Sequence, residues 1–567
     1  MQTTSWDETV DLLIVGSGAG SVVAALVAQD QGLQALIVEK NAKVGGTTSV
    51  SGGVAWIPAN PLMAREGIHD SIERAREYMD AAVWHQGPAT TSARKNAFLH
   101  AGPEAILYLE SKGMKFARPK FWPDYHSDLP GGEQSSRGVM AELFDLNELG
   151  EWKQYFAACD RPPLRFHIEE AAKMTLVKRT WSARWCALRV GCRLVWQKLA
   201  GRDVRGAGAA LAGRLLQIAL QKKIPIWRET AVQKLIVEDG RVVGVQAVRN
   251  GSTMRIKARR GVLLNAGGFA SNREMRELYG RHPVYAQFTA APAGDTGEMI
   301  REAMAIGAAT DCMDEGLWGV SSMAADGSFP SGKIQSKSGL PVGHHFDISF
   351  PHCILVDQNG ERFTNEAASY MEVGQRLYGR HQKTGKGIPA WAIIESRHRE
   401  RYLWGVTVGK TPKSWFDSGY MKKADSLEEL AEQCGIDASG LTKTVARFNE
   451  FCVSGEDKDY QRGGKAFDHC HGDPTVKPNP NLGAIEKPPF YAVAIYPGDV
   501  STWGGLVADE HARVLNEKGE VIEGLYATGT TTASVCGRTY PGAGASIGPA
   551  LVFGYIAARH ATRAACK

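Results

Sequence analysis

The sequence predicts an α/β fold organised around a parallel sheet, and three stretches of chain predict it. Residues 10–15 read as a strand whose apolar run Leu12-Leu13-Ile14-Val15 stops at Gly16-Ser17-Gly18-Ala19-Gly20; residues 21–29 then read as a helix, and 35–38 as a second strand ending on Glu39. Val262-Leu263-Leu264-Asn265-Ala266-Gly267-Gly268 and Leu525-Tyr526-Ala527-Thr528-Gly529 are two further apolar runs that end in glycine, where a ligand can approach a strand's backbone closely. Composition agrees: 63 glycines in 567 residues, with 43% hydrophobic and 22% charged side chains, describe a folded chain rich in tight turns.

The order strand, glycine turn, helix, strand and acid is more telling than the glycines alone. Gly16 permits the tight turn, Gly18 lets the backbone approach a pyrophosphate, and Ser17, Ala19 and Gly20 complete the loop beneath a helix whose positive end faces that charge. Ser21 stands where a third glycine is usual. Glu39 is placed to accept hydrogen bonds from ribose hydroxyls, with Lys40 beside it. These features predict a Rossmann-like dinucleotide site but do not separate a flavin from a nicotinamide. The next segment does, because Gly45, Gly46, Thr47, Thr48, Ser51, Gly52 and Gly53 crowd small residues and hydroxyls where an isoalloxazine ring and ribityl chain would lie. Ala266, Gly267 and Gly529 end the two later strands, and Asp295, just before a helix, is placed to face the pyrophosphate or ring, the alternative being an ordinary helix cap. The cofactor expected is therefore FAD, held non-covalently, since residues 44–53 include no histidine.

Three further motifs carry a family resemblance: Trp122-Pro123-Asp124-Tyr125, Arg362-Phe363-Thr364-Asn365-Glu366-Ala367-Ala368-Ser369-Tyr370, and Tyr540-Pro541-Gly542-Ala543-Gly544-Ala545-Ser546-Ile547-Gly548-Pro549-Ala550. With them the chain resembles the fumarate reductase-like flavoproteins and, among these, the 3-ketosteroid Δ1-dehydrogenases. The resemblance implies that the Tyr540 hydroxyl and the Gly544 N–H hold the C3 carbonyl oxygen of a 3-oxo steroid. It also implies that Tyr370 takes the C2 proton, that Tyr125 supports Tyr370, and that the C1 hydride passes to flavin N5. Ala545 and Ile547 are the implied flavin contacts at the start of the last helix, and an external acceptor such as a quinone removes the electrons. The chemistry is coherent, because a hydrogen next to a ketone becomes acidic only when donors stabilise the developing enolate. A phenol with a pKa near 10 acts as a base only if neighbours favour the phenolate or if proton and hydride leave together. Asn365 and Glu366 read as supports for the Tyr370 segment. Other activities compatible with the motifs are a 4-ene-forming steroid dehydrogenase and a dicarboxylate reductase of the fumarate reductase type, for which Arg362 and Arg376 supply cations. A membrane-docked redox sensor is the non-enzyme alternative.

Length predicts two domains: an FAD-binding domain from residues 1–330 and 496–567, and an α+β catalytic cap domain from 331–495. Residues 173–205 look like an insertion. Val177, Trp181, Trp185, Leu188, Cys192, Val195, Trp196 and Leu199 share one helical stripe, and nine lysines and arginines stand against the single Asp203. A basic, tryptophan-rich amphipathic helix suits an anionic membrane surface, and packing against the protein itself is the alternative. The first strand begins so near Met1 that a cleaved secretory signal has no room, so the expected location is cytoplasmic, peripheral on the inner face of the cell membrane. Ten scattered cysteines without a C-x-x-C pair point to reduced thiols. No metal is expected; His469-Cys470-His471 is a poor cluster because neighbours along a strand point to opposite faces. With no nucleic-acid module, the basic segment does not imply nucleic-acid binding.

Overall fold

The N-terminal apolar run forms strand β1 (Glu8–Val15), in which Leu12, Leu13 and Ile14 are wholly buried. Such a run suits a central parallel strand, because helices cover both of its faces. The structure, a computed structural model, describes residues 5–323, 342–344, 346–405, 407–408 and 411–563, so the expected domain boundary at 330 lies outside the described residues. Helix α1 (Ala19–Asp30) follows at once, beginning inside the glycine motif rather than at residue 21 because Gly18 is its N-cap. It leads to β2 (Ala35–Val38), which pairs in parallel with β1, Leu13 opposite Leu36. On the other side of β1 lies β3 (Ser252–Leu264), with Leu13 opposite Val262, and beyond that β4 (Val521–Ala527), with Leu264 opposite Ala527. Three motifs scattered over more than 500 residues therefore end side by side at one edge of an eight-stranded sheet.

A second, six-stranded antiparallel sheet contains the strands Gly316–Ser322, Cys353–Val356, Ala390–Glu395 and Phe490–Thr502. Phe490–Thr502 runs through position 496, where the cofactor domain is expected to resume. Behind this sheet, Glu366 is fully buried and ion-pairs with Arg362 and Arg462, while Arg362 also pairs with Asp457. Truncating one member of such a network strands another's buried charge, at a cost of about 3–5 kcal/mol.

Four further helices bear on function. Helix α2 (Ile72–Ala82) is started by Ser71, whose hydroxyl accepts the Arg74 N–H. Helix α3 (Trp181–Leu199) lies in the basic insertion and is started by Thr180, which caps Ala183. Helix α4 begins on Tyr370 itself (Tyr370–Thr384). Helix α5 (Ile547–Arg563) crosses α1 at a contact only glycine permits. A Cβ on Gly20 would stand 2.4 Å from the Ala550 carbonyl oxygen, and one on Gly554 would stand 2.4 Å from the Gly20 carbonyl oxygen. His469-Cys470-His471 closes a short helix (Ala466–His469) instead of lying in a strand, and His469 and Cys470 bond to the carbonyls of Gly463 and Phe121.

Candidate active site

A cavity of about 800 Å³ runs along the carboxyl ends of β1 and β3 and reaches the antiparallel sheet. Its wall at one end is Gly16, Ser17, Gly18 and Ala19, where φ of +98° at Gly16 lets the turn pass the Asn265 carbonyl; a Cβ there would stand 2.2 Å from that oxygen. Helix α1 has no acid in its first turn and no cap from its own N-cap residue, only the Thr48 hydroxyl on the Ala19 N–H at 3.3 Å, so its positive end can face an anion. Glu39 closes this end: one carboxylate oxygen accepts from the Ser17 N–H and hydroxyl, at 3.2 and 2.6 Å, and the other from Asn41. Lys40 is paired with Glu298 and the Thr296 hydroxyl.

Of the predicted cofactor residues, Gly46, Thr47, Thr48, Ser51, Gly52, Gly53, Ala266, Gly267, Asp295, Gly529 and Ile547 also line the cavity. Gly20, Gly45 and Ala545 do not; Gly20 packs against α5, Gly45 sits against Ser49 and Phe156, and Ala545 is buried just behind the wall. Asn41, Thr230, Val232, Asn265 and Ser501 line it without having been singled out in the sequence. Asn265 had a signal, its place between an apolar run and two glycines. Ser501 had none, because it arrives on the long strand Phe490–Thr502 from the other sheet.

The wall fits a large cofactor with both polar and flat parts. Two polar atoms on it, Asp295 Oδ2 and Ser501 Oγ, are buried without a hydrogen-bonding partner and await one from a ligand. Burial pushes the Asp295 carboxyl up to about 7, against the N–H groups of Gly268 and Ala270 that favour its ionised form. The glycine cradle, the open helix end and these orphaned acceptors together suit FAD.

At the far end of the cavity Tyr125, Tyr370 and Tyr540 form a nearly equilateral triangle, with ring centroids 5.8, 5.5 and 5.5 Å apart. The Tyr370 phenol interacts electrostatically with both of the others. The Gly544 N–H donates to the Tyr540 hydroxyl oxygen at 3.2 Å, so the two groups expected to share a carbonyl oxygen are already adjacent. Gly544 has φ of +90°, and a Cβ would stand 2.1 Å from the Val54 carbonyl oxygen, so glycine is obligatory. Desolvation raises all three phenol pKa values, holding the tyrosines neutral at neutral pH. Apolar and aromatic side chains, among them Trp122, Leu317, Phe346 and Val500, complete this end.

A buried hydrogen-bond network fixes the triangle. The Tyr78 hydroxyl, on α2, donates to the Pro541 carbonyl at 2.6 Å and accepts the His126 N–H at 3.2 Å, while the Tyr125 N–H donates to the same Pro541 carbonyl at 2.9 Å. Asp124 accepts from Trp56 Nε1 at 2.8 Å and from Arg137 at 2.7 Å, and the Trp56 N–H donates to the Gly544 carbonyl. Burial pushes Asp124 up to about 6, opposed by Arg137. Neither Arg362 nor Arg376 reaches the cavity; Arg362 is buried among Glu366 and Asp457, and Arg376 pairs with Glu372 on the surface of α4.

Comparisons with known proteins agree with this geometry. Residues 11–547 match the family described as FAD binding domain. The chain is 38% identical to a 3-oxosteroid 1-dehydrogenase of Mycobacterium tuberculosis, over 97% of this chain and 98% of that protein. It is 34% identical to a 4-oxocyclohex-2-ene-1-carboxylate 5-dehydrogenase of Sinomonas cyclohexanicum, over 98% and 94%. The solved 3-ketosteroid Δ1-dehydrogenase of Sterolibacterium denitrificans, in complex with 1,4-androstadiene-3,17-dione, superposes with a TM-score of 0.89 at 36% identity, covering 98% of this chain and all of that one. With a full-length relative at this identity and the cofactor cradle in place, the chain belongs to the 3-oxosteroid 1-dehydrogenase family of FAD-binding flavoproteins.

Proposed function

We propose that the protein desaturates the C1–C2 bond of 3-oxo steroids, with Tyr125, Tyr370, Tyr540 and the Gly544 N–H as its catalytic groups. The observation that carries this reading is the tyrosine triangle standing beside the Gly544 N–H at the apolar end of the cofactor cavity. The cradle from Gly16 to Gly53, with Ala266, Gly267, Asp295, Gly529 and Ile547, would hold FAD, which would supply the hydride acceptor, an external acceptor of quinone type being needed to remove the two electrons. A neutral Tyr540 hydroxyl and the Gly544 N–H are two donors for one ketone oxygen, and they strengthen their hold as negative charge develops there. Tyr370 receives the C2 proton. It does so as the phenolate, becoming the neutral phenol; the dry pocket keeps that phenolate scarce, so abstraction depends on Tyr125, which stabilises it when its hydroxyl turns to donate to Tyr370. The apolar walls exclude water from the enolate and accept the steroid body. A cap from residues 331–495 supplies Phe346 and Tyr370 to this wall. The relatives' names share a ring ketone, which is the part of the substrate these four groups address; the apolar lining favours the steroid among such ketones. A dicarboxylate substrate is disfavoured because Arg362 and Arg376 are engaged elsewhere.

The insertion reads as a membrane-surface anchor. On α3 the apolar stripe faces outward: Trp181, Trp185, Leu188, Val195, Trp196 and Leu199 are all exposed, from 55% to 83%, while Ala183, Cys186 and Val190 pack inward. Val177 lies before the helix. Arg184 and Arg202 lie over the rings of Trp181 and Trp196, and Arg189 and Arg193 pair with Glu170. No described helix is long and apolar enough to cross a membrane, so the contact proposed is peripheral, with tryptophans at the headgroup level of an anionic surface. Anchoring there places the cavity where apolar substrates concentrate.

Replacing Tyr370 with phenylalanine leaves the flavin spectrum intact and lowers kcat with a 3-oxo-4-ene steroid by about 10²–10⁴-fold; normal turnover would remove Tyr370 from the mechanism. Because burial raises its pKa, activity limited by this base rises into the alkaline range, and Tyr125→Phe moves that limb higher still.

Tyr78→Phe tests the positioning network. It lowers kcat about tenfold, as expected for about 1.4 kcal/mol of misplacement, with unchanged flavin absorbance. In the Tyr78→Phe/Tyr540→Phe double variant this loss disappears relative to Tyr540→Phe alone; full additivity would mean that Tyr78 does not act through Tyr540.

Changing Trp181, Trp185 and Trp196 together to serine abolishes co-sedimentation with vesicles containing anionic phospholipid and leaves turnover of a dispersed steroid unchanged. Undiminished sedimentation would exclude α3 as the anchor.

A further inference from the structure

His85 is more than two hundred residues from the adjacent pair Asp311 and Cys312, and all three are outside the cavity, yet their ligand atoms lie within 4.8 Å of one another. His85 Nε2 is 3.6 Å from Asp311 Oδ1, and Cys312 Sγ is 3.4 Å from the same oxygen. Around a tetrahedral zinc-class ion, bonds of about 2.0–2.3 Å place neighbouring N, O and S ligands about 3.3–3.7 Å apart, so these separations need little adjustment. His85 Nε2 is a buried atom without a hydrogen-bonding partner, a cost that a bound ion removes. The position beside them is Gly87, where a Cβ would stand 2.7 Å from Asp311 Oδ2 and 2.8 Å from His85 Nε2. His85 and Asp311 keep 23% and 13% of their side-chain surface exposed, so the cluster lies close to the protein surface.

We propose that His85, Asp311 and Cys312 form a binding site for a borderline-soft divalent cation of the zinc class, which clips together the two supports of Tyr540. One imidazole, one carboxylate and one thiolate suit zinc or cobalt better than the harder magnesium or calcium. On binding, the Cys312 S–H bond breaks, sulfur keeps the electron pair and donates it to the ion, and one proton leaves to solvent. Because that proton must leave, uptake weakens as pH falls.

The position gives the clip its effect. His85 lies just beyond α2, whose last carbonyl, that of Ala82, accepts the Thr539 hydroxyl at 2.9 Å, next to Tyr540. Asp311 belongs to the strand Thr310–Asp311, which pairs with Gly505–Leu506. Two residues before that partner strand is Trp503, whose ring meets Tyr540 edge-on at 5.2 Å. An ion joining His85 to Asp311 and Cys312 therefore ties both approaches to Tyr540 from the side away from the cavity.

The test is anaerobic titration of chelator-dialysed, flavin-loaded enzyme with cobalt(II) alone. The site predicts one equivalent bound with the intense long-wavelength bands of tetrahedral cobalt, a sulfur-to-cobalt charge-transfer band, displacement of both by zinc, and a zinc-dependent rise in Tm. Cys312→Ala abolishes the charge-transfer band and His85→Gln weakens binding at least tenfold, whereas loss of the exposed thiol in Cys192→Ser changes neither. If Cys312→Ala fails to fold, His85→Gln and Asp311→Asn carry the test. Binding of less than a tenth of an equivalent by the wild type, or identical spectra and affinity in the His85 and Cys312 variants, overturns the proposal.

Discussion

The Pro541 carbonyl accepts two hydrogen bonds, from the Tyr125 N–H at 2.9 Å and the Tyr78 hydroxyl at 2.6 Å, and the arrangement of the tyrosines depends on that shared acceptor. It joins an early loop, an early helix and the C-terminal segment, whose partners are 463 positions apart for Tyr78 alone. A buried carbonyl with two good donors is held more rigidly than one with a single donor, and leaving either donor unpaired costs about 1–3 kcal/mol. Gly544, three residues on, extends the constraint. Its left-handed backbone brings Val54 and Ala55 so close that no side chain fits, its carbonyl accepts the Trp56 N–H, and its own N–H is left aimed at the Tyr540 hydroxyl.

Sheet and site are linked by the same economy of close approaches. The parallel sheet brings its glycine ends together at one edge, and α5 rests on α1 through Gly20 and Gly554. The last helix of the chain is thereby seated directly over the first turn, and the Tyr540–Ile547 segment leading into it must pass along the cavity. Buried charges do the equivalent work around the triangle: Arg137 holds Asp124 and Asp70, while Arg362 and Arg462 share Glu366. These pairs lie behind the cavity wall, so the wall itself presents neutral hydroxyls and an N–H at the tyrosine end.

How much of the fold and site was legible in the sequence depended on whether the signal was local. The strand, turn, helix and acid from β1 to Glu39 were read directly, because hydrophobic period and glycine placement are local properties. The tyrosines stood out only through motif resemblance, since a single tyrosine in sequence looks like any core ring. Ser501 and Tyr78 gave no signal: one reaches the cavity from a long antiparallel strand, and the other acts through a carbonyl 463 residues away. Gly20 and Gly45 belong to the glycine motifs but lie outside the cavity lining and pack closely against neighbouring chain, because close packing and close approach to a ligand demand the same residue. The stripe on α3 was visible in sequence, but its outward direction was not, because periodicity defines a face without saying what covers it. Likewise His85 and Asp311-Cys312 are separated by more than two hundred residues, so no ligand spacing announced them.

The proposed chemistry stands or falls on the ketone site beside the flavin. The most direct measurement is anaerobic mixing of the purified yellow enzyme with a 3-oxo-4-ene steroid, following flavin absorbance in time and the product by mass and ultraviolet spectrum. The tyrosine site predicts rapid bleaching with a stoichiometric 1,2-desaturated product. A flavin that stays oxidised with the steroid, while chemically reduced enzyme is reoxidised by fumarate, would contradict it.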